Sequence, residues 1–145
     1  RIQGLQKLTL LDYPGRTACT IFLSGCNFRC PFCHNAPLLT AADEDGMDED
    51  ELLAFLEKRQ GLLDGVAVTG GEPLLRPELP ALLEKIKALG YAIKLDTNGA
   101  FPEQLEAVVR AGLADYVAMD IKNSPVLIPH TISAYIRLIC NDQRR

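Results

Sequence analysis

Short apolar runs alternate along the chain with segments of helical periodicity. Residues 17–24 (TACTIFLS) are β-branched and apolar, which predicts a buried strand. Similar apolar runs predict three further strands, at residues 66–69, 91–95 and 115–121. Apolar positions at helical spacing, each followed by a glycine, predict three helices, at residues 52–60, 78–89 and 102–111. This alternation predicts an α/β protein with a parallel sheet, either open and doubly wound or closed into a full or partial barrel.

The unusual polar and glycine-containing clusters all follow predicted strands. They lie at residues 26–33, 70–73, 96–99 and 120–122. Both open parallel sheets and barrels bind their ligands at the carboxyl ends of the strands. We therefore expect these four clusters to form one site.

The composition is that of one folded domain. The chain has 145 residues, of which 48% are hydrophobic and 23% are charged, so it does not belong to the disordered class. A formal net charge of −4 counts against a nucleic-acid partner, which a basic surface would bind. No apolar run approaches the roughly 20 residues of a membrane helix, and no basic segment followed by an apolar one opens the chain, so nothing in it predicts secretion. We expect a cytoplasmic protein that binds neither nucleic acid nor a membrane.

Five cysteines are present, and three of them lie close together, which favours metal binding or redox chemistry over disulfides. Cys26, Cys30 and Cys33 have the spacing C-x3-C-x2-C. Three thiolates on one loop can hold three irons of a [4Fe–4S] cluster, which leaves the fourth iron open to a substrate. The alternative is a structural zinc ion with His34 as its fourth ligand.

The cysteine spacing, with the aromatic Phe32 before the last cysteine, resembles the signature of the radical S-adenosylmethionine (radical SAM) superfamily. The resemblance implies that Phe32 lies beside the adenine of S-adenosylmethionine. Taken by itself, Phe32 is equally well explained as an anchor of the hydrophobic core.

The sequence Gly70-Gly71-Glu72-Pro73 resembles the GGEP motif of the same superfamily. The resemblance implies that Gly70, Gly71 and Glu72 hold the amino group of S-adenosylmethionine. From the residues alone, two glycines allow close approach of a ligand and leave backbone N–H and C=O groups available to it. A simple turn between strand and helix is the alternative.

Two more polar clusters match family motifs. Residues 96–99 (DTNG) resemble a motif of glycyl-radical enzyme activases, which implies that Asp96 and Asn98 face the cofactor. Asp120 and Lys122 are two residues apart on a predicted strand, so they share one face of it. The resemblance implies that both face the carboxylate or ribose of the cofactor. The alternatives are an Asn-Gly turn at residues 98–99 and a surface ion pair between Asp120 and Lys122.

The flanking segments narrow the resemblance further. Residues 8–15 (LTLLDYPG) and 20–38 (TIFLSGCNFRCPFCHNAPL) resemble the activating enzymes of anaerobic ribonucleotide reductase and the related pyruvate formate-lyase activases. The resemblance implies an enzyme in which a [4Fe–4S] cluster reductively cleaves S-adenosylmethionine to a 5′-deoxyadenosyl radical. That radical takes a hydrogen atom from a backbone glycine of a partner glycyl radical enzyme, and reduced flavodoxin or ferredoxin donates the electron. No catalytic residue is expected beyond the cluster ligands.

The implied fold is a partial parallel (β/α) barrel of the radical SAM type, with about four βα units in residues 1–122. Residues 123–145 match nothing in the family, and one helix is predicted there. Family members continue to about six units, so we expect a truncated member, either a fragment or the result of a frame slip. A chain that keeps the cluster without turnover is one alternative to an active enzyme. Two other functions stay open: a radical SAM enzyme acting on a small molecule or nucleoside, and a zinc-stabilised interaction module without catalysis.

Overall fold

The computed structural model of this chain describes residues 2–30, 33 and 46–120. Phe32, His34, Lys122 and the tail at residues 123–145 lie outside the described residues. The elements follow in the order β1 (Ile2–Thr9), β2 (Ala18–Leu23), α1 (Glu49–Lys58), β3 (Gly65–Gly70), a 3-10 turn (Pro73–Leu75), α2 (Leu79–Ala88), β4 (Ala92–Thr97), α3 (Pro102–Arg110) and β5 (Tyr116–Met119). Within these ranges, no helix is both long and apolar enough to cross a membrane.

The strands form one mixed sheet in the order β1-β2-β3-β4-β5. Strands β2 to β5 run parallel to one another, which confirms the four predicted strands and the parallel sheet. Strand β1 was not predicted, and it pairs antiparallel with β2 at the edge of the sheet. Residues 2–9 show no regular alternation, and the middle of β1 is exposed, so backbone pairing rather than side-chain pattern defines this strand.

The helices pack on one face of the sheet. Alternate residues of the inner strands, such as Val68, Ile93 and Leu95, are buried in a single core with Leu56 and Leu83 of the helices. This alternation leaves the other set of strand residues for the opposite face. All three predicted helices are present, and their first and last residues differ from the predicted ones by at most three positions.

Helix α1 begins earlier than its apolar pattern indicated because a capping box precedes that pattern. The Asp48 carboxylate accepts the backbone N–H of Glu51 at 2.8 Å, and the Glu51 carboxylate accepts the backbone N–H of Asp48 at 3.1 Å. Two N–H groups that the first turn would leave unpaired are satisfied in this way.

The segment between β1 and β2 lies at the amino end of the parallel strands. Tyr13 is buried, and its ring packs against Gly65, the first residue of β3. Asp12 accepts the hydroxyl of Thr20 at 2.6 Å. Residues 8–15, one of the two segments that carried the finer family resemblance, thus make structural contacts at the opposite end of the sheet from the cysteines.

Candidate functional site

The carboxyl ends of the parallel strands surround a cavity of about 400 Å³. Three loops form most of its wall: the cysteine loop (described at residues 24–30 and 33), the Gly-Gly loop (residues 70–72) and the DTNG loop (residues 96–99). The predicted site residues that line it are Cys26, Cys30, Cys33, Gly70, Gly71, Asp96, Asn98 and Asp120. The structure therefore brings all four sequence clusters to one site, as their positions after strands predicted.

The three clustered cysteines are free thiols, each partly exposed to the cavity. The backbone N–H of Cys33 donates to the carbonyl of Cys30 at 3.2 Å, which forms a turn between these two residues. Within the described ranges, no group of three or more His, Cys, Asp or Glu side chains is arranged to hold a metal ion. A [4Fe–4S] cluster takes each thiolate on a different iron, whereas tetrahedral zinc needs its ligands around a single atom.

The Gly-Gly loop packs directly on the cysteine loop. The N–H of Gly71 donates to the carbonyl of Leu23 at 2.9 Å, and the N–H of Glu72 donates to the carbonyl of Gly25 at 2.8 Å. A Cβ atom at Gly71 would overlap the carbonyl oxygen of Gly25, and one at Gly70, whose φ is +121°, would overlap the backbone of Leu23. The N–H groups of Gly71 and Glu72 are thus held by the end of β2 and by the cysteine loop, and the cofactor contacts of Gly70 and Gly71 stay a prediction.

The side chain of Glu72 is fully buried and does not line the cavity. Its carboxylate accepts the backbone N–H of Leu74 at 3.1 Å, the hydroxyl of Thr97 at 2.8 Å and the backbone N–H of Asn98 at 2.6 Å. The carboxylate thus joins the Gly-Gly loop to the DTNG loop. The Glu72 side chain lies outside the lining of the cavity, and its contact with the amino group of S-adenosylmethionine stays a prediction.

Burial raises the pKa of the Glu72 carboxyl above its usual range, and the hydrogen bonds from Asn98, Thr97 and Leu74 reduce that rise. The folded chain therefore holds this proton to a higher pH than the unfolded chain. Between the two pKa values the folded state binds more protons, so the free energy of unfolding increases as pH falls through that window.

We expect this titration to appear as a difference between the parent chain and the Glu72→Gln variant, whose side chain does not titrate. Urea unfolding across a pH series should show the parent gaining stability relative to the variant as pH falls from neutral. Glu57→Gln, an exposed glutamate on α1, is the control for removing one surface carboxylate. A parent-minus-variant difference that stays constant or shrinks toward acid pH would contradict the prediction.

Lys94 is a cavity residue that the sequence analysis missed. Its ammonium lies 2.7 Å from a carboxylate oxygen of Asp96, and the two side chains are 12% and 32% exposed. Both line the cavity. The sequence could have indicated Lys94, because it is two residues from Asp96 on a predicted strand and residues at that spacing share a face. The same argument was applied to Asp120 and Lys122.

Arg76 is a second residue that the sequence analysis did not identify. Its guanidinium donates to the carbonyl of Ser24 at 3.3 Å and to the hydroxyl of the same serine. Another of its nitrogens pairs with Glu78 at 3.0 Å. Arg76 therefore connects the start of α2 to the cysteine loop. The partners are 52 residues apart along the chain, and no sequence pattern indicates such a pairing.

The chain is similar to known proteins over most of its length. The sequence profile of the radical SAM superfamily matches residues 20–138. A protein of Methanocaldococcus jannaschii, whose name assigns it to the glycyl-radical enzyme activating enzymes, is 34% identical over 122 residues, covering 83% of this chain and 50% of the relative. The pyruvate formate-lyase-activating enzyme of Clostridium pasteurianum is 34% identical over 129 residues, covering 85% of this chain and 52% of the relative.

Other similar proteins have names that describe an activity different from that of the activating enzymes. The 7-carboxy-7-deazaguanine synthase of Hyperthermus butylicus is 33% identical over 123 residues, covering 81% of this chain and 48% of that protein. The chain thus spans about half the length of these relatives. The crystal structure of QueE from Escherichia coli shares the fold, with a TM-score of 0.57 and 23% identity over 68% of this chain and 52% of that one.

Proposed function

This chain belongs to the radical SAM superfamily, whose members use a [4Fe–4S] cluster and S-adenosylmethionine, and we propose that it is the core of a glycyl-radical enzyme activating enzyme. One observation carries the proposal: the cysteine loop, the Gly-Gly loop and the DTNG loop line the same cavity. Each loop comes from a different strand end, and their convergence makes a site that no single motif provides.

The residues present fit the cluster. Cys26, Cys30 and Cys33 are unpaired, partly exposed thiols on one cavity wall, and thiolates are the ligands that iron–sulfur clusters take. Three protein ligands leave one iron of four open to another molecule. We propose these three cysteines as the cluster ligands.

The cavity also fits a small-molecule cofactor. Its volume of about 400 Å³ lies within the usual range of roughly 300–1,000 Å³ for ligand sites. Gly70 and Gly71 keep one wall free of side chains, and the carboxylates of Asp96 and Asp120 are groups that accept hydrogen bonds from an ammonium or a ribose. Phe32 and Lys122 belong to the proposed cofactor contacts, outside the described residues.

When bound, the cluster and S-adenosylmethionine supply one-electron chemistry that removes a hydrogen atom from carbon. The chain's own part is to hold and orient these groups. The hydrogen bonds between its loops fix the position of the cysteines relative to the other cavity walls. No proton transfer is needed for this step, so we assign no general acid or base.

The choice of a protein glycine as substrate rests on two supports. The first is the similarity to two activating enzymes, each over more than four fifths of this chain. The second is the charge of the cavity wall: among the described lining residues Lys94 is the one cation, and its ammonium is paired with Asp96. A phosphorylated substrate is bound by cations with charge to spare, whereas a peptide glycine needs none.

The test begins with anaerobic reconstitution of the full chain with iron and sulfide. Electron paramagnetic resonance of the reduced protein should show a [4Fe–4S]⁺ signal that changes when S-adenosylmethionine is added. The protein is then incubated with anaerobic ribonucleotide reductase in which every glycine is α,α-dideuterated, with reduced flavodoxin or ferredoxin as donor. We expect deuterium in the 5′-deoxyadenosine formed, and a glycyl radical signal in the reductase.

A second candidate is a radical SAM enzyme acting on a purine-like small molecule, which the similarity to the deazaguanine synthase favours. The probe is deuterated guanosine 5′-triphosphate, the nucleotide in the name of a GTP 3′,8-cyclase of Xanthomonas campestris that is 38% identical over 101 residues. Deuterium transfer from this nucleotide, and none from the reductase, would replace the proposed function by this one. Stoichiometric zinc with no cluster signal would overturn both and leave a structural metal module.

A further inference from the structure

The side chain of Asn98 is bound by the chain itself, although the residue lines the cavity. Its amide nitrogen donates to the side-chain oxygen of Asn27 at 2.9 Å and lies 3.9 Å from the sulfur of Cys26, within hydrogen-bonding range for sulfur. Its amide oxygen accepts the backbone N–H of Ala100 at 2.9 Å. Asn98 therefore directs a donor at a cysteine sulfur, and its oxygen is occupied by its own loop.

The buried Glu72 carboxylate fixes Asn98 in this position. One carboxylate oxygen accepts the backbone N–H of Asn98 at 2.6 Å, and the other accepts the hydroxyl of Thr97 at 2.8 Å. The Thr97 hydroxyl oxygen in turn accepts the N–H of Gly99 at 3.1 Å. Because Glu72 and Thr97 are buried, these contacts do not compete with water and hold the DTNG loop firmly.

A hydrogen bond to a ligand sulfur changes the redox behaviour of an iron–sulfur cluster. The reduced cluster carries one more negative charge than the oxidised cluster, so a donor stabilises the reduced form more. A donor of this kind raises the reduction potential, and its removal lowers it. The sulfur of Cys26 also accepts the backbone N–H of Phe28 at 3.4 Å, a contact that side-chain substitutions leave in place.

We propose that Asn98 sets the reduction potential of the cluster through its hydrogen bond to Cys26, and that Glu72 is the positioning residue that holds Asn98 in place. The inference rests on the proposed cluster site. It gives Asn98 and Glu72 roles toward the cluster, whereas the family resemblance implied contacts to S-adenosylmethionine for both.

The test compares the midpoint potential of the reconstituted cluster in the parent chain, Asn98→Leu and Asn98→Asp. Leucine removes the donor without adding charge, and aspartate removes it while keeping an acceptor for Ala100. At a fixed ambient potential the ratio of reduced to oxidised cluster should fall in Asn98→Leu. The upper limit of this fall is roughly twofold to tenfold, which corresponds to the whole of one hydrogen bond at about 0.5–1.5 kcal/mol net. The fall should be larger in Asn98→Asp, because its charge also opposes reduction.

Glu72→Gln tests the positioning role. The glutamine oxygen can accept either from Asn98 or from Thr97 and Leu74, but not from both sides, so Asn98 loses part of its support. We expect the potential to shift in the same direction as in Asn98→Leu. Thr69→Ser, which trims another cavity residue without touching a cysteine sulfur, is the control and should leave the potential unchanged.

Resonance Raman spectra of the oxidised cluster give a readout that folding defects do not imitate, since only cluster-bearing molecules contribute. The cysteinyl Fe–S stretching bands should shift in Asn98→Leu and stay in place in Thr69→Ser. Unchanged bands and an unchanged potential in Asn98→Leu, with parental cluster content, would overturn the inference and leave the proposed function standing. A parent chain that binds no cluster would overturn the proposed function and this inference together.

Discussion

Replacing Cys33 by alanine is expected to remove the cluster entirely, with iron and sulfide at the background level of the reconstitution mixture. Cys33 supplies one of three thiols on the cavity wall. With two thiols left, two of the four irons would lack a protein ligand, and the thiolate bonds are what hold such a cluster in place. Iron and sulfide analysis after desalting, with the visible absorption spectrum, measures the outcome.

Cys19→Ala is the matched control for loss of a thiol. Cys19 is fully buried in β2, and burial raises the pKa of its thiol to about 11. It therefore stays protonated at neutral pH and is no metal ligand. This variant should keep its full iron and sulfide content. Equal content in Cys33→Ala and in the parent chain would refute the assignment of the cluster ligands.

Replacing Gly71 by alanine is expected to separate the Gly-Gly loop from the cysteine loop and abolish cluster binding. The new Cβ would lie 2.6 Å from the carbonyl carbon of Gly25, overlap its oxygen, and lie 3.2 Å from the Cβ of Cys26. Most of these overlapping atoms belong to the backbone of Gly25, so a change of side-chain rotamer cannot relieve the overlap. Overpacking of this kind costs about 1–3 kcal/mol of unfolding free energy, which urea unfolding measures.

The control for this substitution is Gly4→Ala in β1. Gly71 and Gly4 both lack a left-handed backbone conformation, so alanine is compatible with either backbone. At Gly4 the nearest atom to the added Cβ is a ring carbon of Phe22 at 3.4 Å, an ordinary contact. Gly4→Ala should bind the cluster as the parent does. Parental cluster content and stability in Gly71→Ala would contradict the tight contact between the two loops.

The sequence was sufficient for elements whose formation depends on local pattern. The β-branched run before the cysteines and the glycine-terminated helices predicted four strands and three helices, and all seven are present. Strand β1 was not predicted because its residues neither alternate between apolar and polar nor form an apolar run. Its pairing with β2 also contains irregularities in register. Because ligand sites lie at the carboxyl ends of parallel strands, the predicted strands also indicated where the cavity lies.

The contacts within the site could not be predicted from the sequence, because they depend on which loops lie next to each other in the fold. The motif predicted that Glu72 contacts a cofactor. No pattern in the sequence indicates that its carboxylate accepts hydrogen bonds from Thr97 and Asn98 in the next loop. The partner of Arg76 lies at the end of another strand. A motif predicts that residues converge at a strand end. It does not predict whether a carboxylate there points at the cavity or at a neighbouring N–H group.

The backbone ties between the cysteine loop and the Gly-Gly loop have a kinetic consequence. The amide hydrogens of Gly71 and Glu72 are held by carbonyls of Leu23 and Gly25. They can exchange with deuterium from solvent only when the two loops part, so their exchange rates measure how often that opening occurs. A ligand that binds only the closed arrangement slows this exchange by the factor by which it stabilises the closed state. The exchange rates of these two amides therefore report whether the site is occupied, and they can be measured without any catalytic turnover.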